Sequence, residues 1–102
     1  MSSYSRIQNA AIGLAREGGL SNITRDNVAS RADVSAGLLY YYFPSVAYLR
    51  TQVMELAIER DDAALLMQGV RVLDPAALKA PEALKQEALE LLSKEILGNT
   101  HG

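Results

Sequence analysis

Between Thr24 and Phe43 the chain reads TRDNVASRADVSAGLLYYYF, and its spacing permits little besides two short helices joined by a tight turn. Thr24 is a good N-cap for the first, because its hydroxyl can accept from the backbone N–H groups that open a helix. Val28, Ala29 and Ala32 form one apolar face, and Asp33 falls where the chain must turn. Val34 then points back into the core, and Ser35 caps a second helix that runs through Ala36 to Phe43. On that helix Leu39 and Phe43 are four apart and share a buried face, which leaves Gly37, Leu38, Tyr40, Tyr41 and Tyr42 on or near the open side. A short helix that carries small and aromatic residues outward, braced by another across a turn, has the shape that enters a DNA major groove.

The flanking sequence is helical as well. Ile7, Ala10, Ala11, Leu14 and Ala15 make one buried stripe of a first helix, which Gly18-Gly19 ends. Ser2, Ser3 and Tyr4 are expected as a loose lead-in, with Ser3 or Ser5 as the cap. Leu20 and Ile23 anchor the following loop, and Gly13 inside the helix is accounted for by close helix packing. Pro44-Ser45 stops the helix of the tyrosines, and Ser45 caps a fourth helix expected to reach about Met67. Its inner face is expected to be Leu49, Val53, Leu56, Ala57, Ala64 and Leu65, with Arg60-Asp61-Asp62 as a solvated patch. Gly69 and Asp74-Pro75 punctuate the chain, Asp74 capping a turn through Lys79. A last helix is expected from Glu82 to Leu97, stopped by Gly98-Asn99.

These residues also carry a resemblance. Ile7, Ala10, Ala11, Leu14 and Gly19, then Thr24, Val28, Ala29, Ala32, Val34 and Ser35, then Gly37, Leu39, Tyr40, Tyr42, Phe43, Pro44 and Ser45, resemble the N-terminal DNA-binding domain of TetR-family transcriptional regulators. The resemblance runs without a gap from Ile7 to about Leu49. It implies an all-α fold: a three-helix helix-turn-helix DNA-binding domain over residues 1–48, then a long fourth helix and a short helical dimerisation region within 49–102.

The same resemblance implies that the DNA-binding residues are Thr24, Arg25, Ser35, Ala36, Gly37, Leu38, Tyr40, Tyr41 and Tyr42. Arg25, in the first turn of its helix, is a candidate for phosphate or guanine; Arg31, later on the same helix, is expected to be solvated. Ser35 is first a cap, and its hydroxyl can also bond a phosphate; a glycine at Gly37 lets the helix start come close to DNA. Leu38 either touches a thymine methyl or is partly buried. Tyr40 and Tyr41 are implied DNA contacts and Tyr42 a phosphate contact. Four positions depart from the family pattern, Leu38 among them, where a small polar residue is common. Asp33 stands where a glycine is usual, and Ala36 and Val46 stand where lysine is common, so fewer ion pairs and a weaker salt dependence are expected.

Charge is distributed in keeping with a reader that faces phosphate with one end. Residues 1–50 hold five arginines and three acids, while residues 51–102 hold five basic and nine acidic residues, within a net charge of -2. With 49% hydrophobic residues the chain is not of the disordered class, and at 102 residues it forms one domain or a domain and an extension. No apolar run is long enough to cross a bilayer and no signal segment opens the sequence, so a cytoplasmic protein is expected.

In the last helix Leu84, Ala88, Leu91, Leu92 and Glu95 form a stripe interrupted by charge, with Leu89, Ile96 and Leu97 around its side. That surface either closes back on helix four or pairs two copies, and an operator-reading protein needs the pairing. The leading expectation is therefore a repressor that binds double-stranded DNA, a palindromic operator, as a homodimer. About fifty residues follow the reader, so no small-molecule inducer is expected. The alternatives are a protein-interaction module, antirepressor-like, that kept the fold without the DNA contacts, or a truncated fragment of a longer TetR-family repressor. An enzyme is not expected. There is no cysteine, the single histidine is His101, and acids such as Glu87 and Glu90 belong to a solvated face, so no catalytic, metal or cofactor site is legible.

Overall fold

A computed structural model describes residues 2–99, the last of them by backbone alone; His101 lies outside the described residues. The described chain is α1 (Ser3–Gly18), a 3₁₀ turn (Leu20–Asn22), α2 (Arg25–Ala32), α3 (Ala36–Tyr42), α4 (Val46–Glu59), α5 (Ala63–Val70), α6 (Pro75–Leu78) and α7 (Glu82–Asn99). It divides into two compact units, Met1–Val53 and Met54–Gly102.

The first unit is built on the stripe of α1. Ile7, Ala10, Ala11, Leu14 and Ala15 are buried as their spacing requires, and Ile12 joins them. Gly19 ends the helix in a positive-φ conformation, φ 89°, and Leu20 and Ile23 are buried beyond it. Val28, Ala32, Leu39, Phe43, Leu49 and Val53 complete the core. The start of the chain is not a loose lead-in. Ser2 caps α1 by accepting from the Ser5 N–H at 3.2 Å, and Tyr4 lies inside the helix against Phe43 and Tyr42. The aromatic contact explains the difference, since it draws the first turn onto the core.

The second unit departs further from expectation. Helix four ends at Glu59 instead of reaching Met67. Asp61 adopts φ 54°, the Asp61 N–H donates to the Ile58 carbonyl at 3.2 Å, and the Asp62 N–H donates to the Ala57 carbonyl at 2.8 Å. That is the hydrogen-bond pattern of a Schellman corner. Asp62 then caps α5 by accepting from the Leu65 N–H at 3.0 Å, so the acids expected as a solvated patch form the break. The restart changes the register, which leaves Ala64 exposed while Leu65, Leu66, Met67 and Val70 are buried.

Gly69 does not punctuate the chain; it lies within α5, where an added Cβ would collide with Met54 Sδ and sit 2.7 Å from the Ala77 Cβ. The glycine lets α5 and α6 approach. The actual stop is Leu73, φ 56°, with the Asp74 N–H donating to the Gly69 carbonyl at 2.9 Å. Asp74 caps α6 as expected, accepting from Ala76 and Ala77 at 3.0 and 3.2 Å. α7 buries Leu84 and Ala88, exposes Leu89, Leu91, Ile96 and Leu97, and continues through Gly98 to Asn99.

Candidate nucleic-acid interface

The two short helices are joined as the hydroxyl and turn residues dictate. Thr24 Oγ1 accepts from the Asn27 N–H at 3.2 Å, and Ser35 Oγ accepts from the Leu38 N–H at 3.0 Å, so both caps bind the third residue of their helix. Asp33 takes the left-handed conformation, φ 56° and ψ 53°. With it, the Val34 N–H reaches the Ala29 carbonyl at 3.0 Å and the chain reverses into α3.

Two arginines outside these helices hold the unit in place. Arg6 of α1 donates from Nε and Nη2 to the Ala32 carbonyl at 3.1 and 2.5 Å, and from Nη2 to the Asp33 carbonyl at 2.8 Å. It thereby satisfies carbonyls that the end of α2 leaves open, and places a cation at the negative end of that helix. Arg50 of α4 donates from Nε and Nη2 to the Ile23 carbonyl at 3.2 and 2.9 Å, just before the Thr24 cap. The sequence reading missed both roles, because partners 26 and 27 residues apart leave no mark in local spacing.

On α3 the Leu39–Phe43 seam is buried, each residue 1% exposed. Burying two such side chains contributes about 1.5–3 kcal/mol each. It fixes the opposite face outward, where Ala36, Gly37, Tyr40 and Tyr41 are exposed, with Tyr41 at 78%. Ser35 at the helix start is exposed too, whereas Leu38 and Tyr42 are half-buried. Tyr42 is held in an aromatic chain, edge-on to Tyr41 at 5.0 Å and to Tyr4 at 5.8 Å. An alanine Cβ at Gly37 would meet only Ser35 Oγ, at 3.8 Å. The fold itself therefore does not require a glycine there.

Arg25 is exposed at the start of α2, where its Nε donates to Asp26 Oδ1 at 2.9 Å. That bond, the Asp26 charge and then Tyr40 raise the Arg25 pKa. Thr24, beside it, is half-buried as a cap. Arg31, expected to be solvated, instead forms a two-pronged pair with Glu17 of α1, Nη2 to Oε1 at 2.6 Å and Nη1 to Oε2. The hydrogen bond from Arg31 holds the Glu17 carboxyl below its ordinary range. Gly13 makes the room: a Cβ there would lie 2.8 Å from Arg31 Nη1.

Residues 7–53 match the family model described as bacterial regulatory proteins, tetR family. The N-terminal unit belongs to the TetR family. Over 58 residues, 57% of this chain, it is 41% identical to the HTH-type transcriptional repressor KstR of Mycolicibacterium smegmatis, covering 28% of that protein. It is 41% identical to KstR of Rhodococcus jostii over the same length, 27% of that protein, and 40% identical to KstR of Mycobacterium tuberculosis, 26% of that protein. The aligned segment thus spans just over a quarter of each relative's length. No solved structure matches the chain significantly. In TetR-family terms, the described helix-turn-helix is α2, the Asp33 corner and α3. Among the described residues no group of three or more His, Cys, Asp or Glu side chains is placed to hold a metal ion, and no helix is long and apolar enough to cross a membrane.

Proposed function

We propose that the protein is a sequence-specific transcriptional regulator, a repressor that occupies a palindromic operator as a homodimer and excludes polymerase. The observation that carries the reading is the outward face of α3. Gly37 weakens its own helix by about 1 kcal/mol relative to alanine, and the surrounding atoms leave room for a side chain. A glycine without an internal reason suits a helix that another molecule's backbone must approach closely. Tyr40 and Tyr41 flank it with exposed rings and hydroxyls. In this reading Thr24, Arg25, Ser35, Ala36, Gly37, Leu38, Tyr40, Tyr41 and Tyr42 line the DNA, and the similar KstR proteins are themselves named repressors.

In this reading residues 1–48 form the reader, residues 49–102 serve pairing, and the setting is cytoplasmic. What supports pairing is the apolar side of α7 and the geometry of operators, whose half-sites lie about one helical turn apart. Selection of bound duplexes from a random pool tests the proposal. A recovered palindrome, bound with a shallow negative salt dependence in fluorescence anisotropy, is the expected result. Indifference to any duplex rejects it in favour of an interaction module, a reading that draws on the pairing of Arg25 and Arg31 with acids.

A further inference from the structure

Arg25 and Asp26 open α2 immediately after its cap. Their bond, Nε to Oδ1 at 2.9 Å, joins side chains that are 56% and 81% exposed. A solvated pair of this kind adds little to folding stability, so its position needs another account. A guanidinium presents its donors in a rigid planar fork. Engagement at Nε uses one edge of that plane, and the Nη1–Nη2 pair forms the other end of the fork. Two parallel N–H donors of this kind are what meet O6 and N7 of a guanine side by side in the major groove. Tyr40, exposed on α3, is among the groups that raise the Arg25 pKa, after the bond and the charge of Asp26. Arg25 opens the helix that the Asp33 corner joins to α3, so the pair and the exposed face of α3 belong to one helix-turn-helix.

We infer that Asp26 is a positioning residue, which grips Arg25 by one edge so that its other end reads a guanine in each operator half-site. The inference rests on the DNA-reading proposal above. It also gives a sign opposite to simple electrostatics. An acid near phosphates that did nothing but repel would weaken binding, and its removal would tighten the complex.

The test uses the full chain, the duplex recovered from the random pool, and the same duplex with single G·C pairs exchanged. Anisotropy titrations compare the wild type with Asp26→Ala, Asp26→Asn, Arg25→Ala and the Arg25→Ala/Asp26→Ala double variant. Asp26→Ala is expected to weaken binding by about fivefold per half-site, the scale set by an exposed pair, and to flatten the preference at one symmetric G·C pair. Asp26→Asn keeps an oxygen that accepts from Nε, and is expected to retain that preference. In the Arg25→Ala background, removal of Asp26 is expected to bring no further loss. Unchanged or tighter binding by Asp26→Ala, or equal loss of preference with Asn and Ala, overturns the inference and leaves the DNA-reading proposal standing. A wild-type chain that ignores every duplex overturns that proposal and this inference with it.

Discussion

Tyr4 stacks on Phe43, with ring centroids 5.0 Å apart and planes 21° from parallel, so the first turn of α1 pins the end of the helix that carries the tyrosines. Aromatic pairs contribute about 0.5–1.5 kcal/mol beyond their area, and Tyr4 also meets Tyr42 edge-on. Tyr4→Ala is therefore expected to lower stability by roughly 1–2 kcal/mol in urea unfolding. Tyr4→Phe keeps the ring and loses only the hydroxyl that accepts from Gln8 Nε2 at 3.2 Å, an exposed contact, and is expected to unfold like the wild type.

Gly37→Ala separates folding from recognition. Replacing a helical glycine in open surroundings is expected to raise stability by about 0.5–1 kcal/mol, since the new Cβ meets nothing closer than 3.8 Å. On the proposed reading the same methyl would meet the approaching DNA backbone, so duplex affinity is expected to fall. A thermal melt and an anisotropy titration on one preparation read both signs.

Gly69→Ala reverses that balance. Helix propensity favours alanine by about 1 kcal/mol, yet the methyl would lie 2.7 Å from the Ala77 Cβ and collide with Met54 Sδ. Met54 can swing aside, whereas Ala77 moves only with α6. Overpacking of this kind costs about 1–3 kcal/mol, so net destabilisation is expected in urea unfolding, and Met54→Ala in the same chain should relieve part of the strain.

The Glu17–Arg31 pair gives a pH dependence. The bond from Arg31 lowers the Glu17 pKa from 4.5, so the unfolded chain binds this proton more tightly than the folded one. The pair's contribution is complete above the ordinary carboxylate value and disappears as pH falls through the lowered one. Glu17→Gln is expected to melt earlier than the wild type at neutral pH, with the gap closing in acid. A gap that persists below the carboxylate range would show that the pair acts through shape alone.

Much of the first unit was legible because its signals are local. Thr24 and Ser35 cap three residues ahead, Gly19 turns with positive φ, and Leu39 and Phe43 share a face by simple periodicity. The second unit was less legible because its helix stops carry no glycine. Asp61 and Leu73 occupy the left-handed corners, while Gly69, which looks like a stop, serves close packing inside α5. Spacing along the chain cannot distinguish a glycine that turns from one that yields room. Arg6, Arg50 and Tyr4 escaped notice for a related reason: their partners lie far along the sequence.

Asp33 links the corners to function. A side chain in the left-handed region costs about 1–2 kcal/mol, less for aspartate, while glycine gives back roughly 0.5–1 kcal/mol as lost chain freedom. Asp33→Gly is expected to be modestly stabilising, and the Arg6 bonds survive because they go to backbone carbonyls. Removal of an acid from the turn is also expected to tighten duplex binding, most visibly at low salt.

Asp33, Asp61 and Leu73 all bend the chain where glycine would do so with less strain. The protein consequently operates below its attainable stability, and at Asp61 and Leu73 that margin belongs to the second unit, whereas the exposed tyrosines belong to the first. If α3 reads bases as proposed, changes in it that alter base preference at some loss of robustness have a ready counterweight in glycine at those two bends. Drift toward a new binding sequence and retention of the fold need not compete for the same residues.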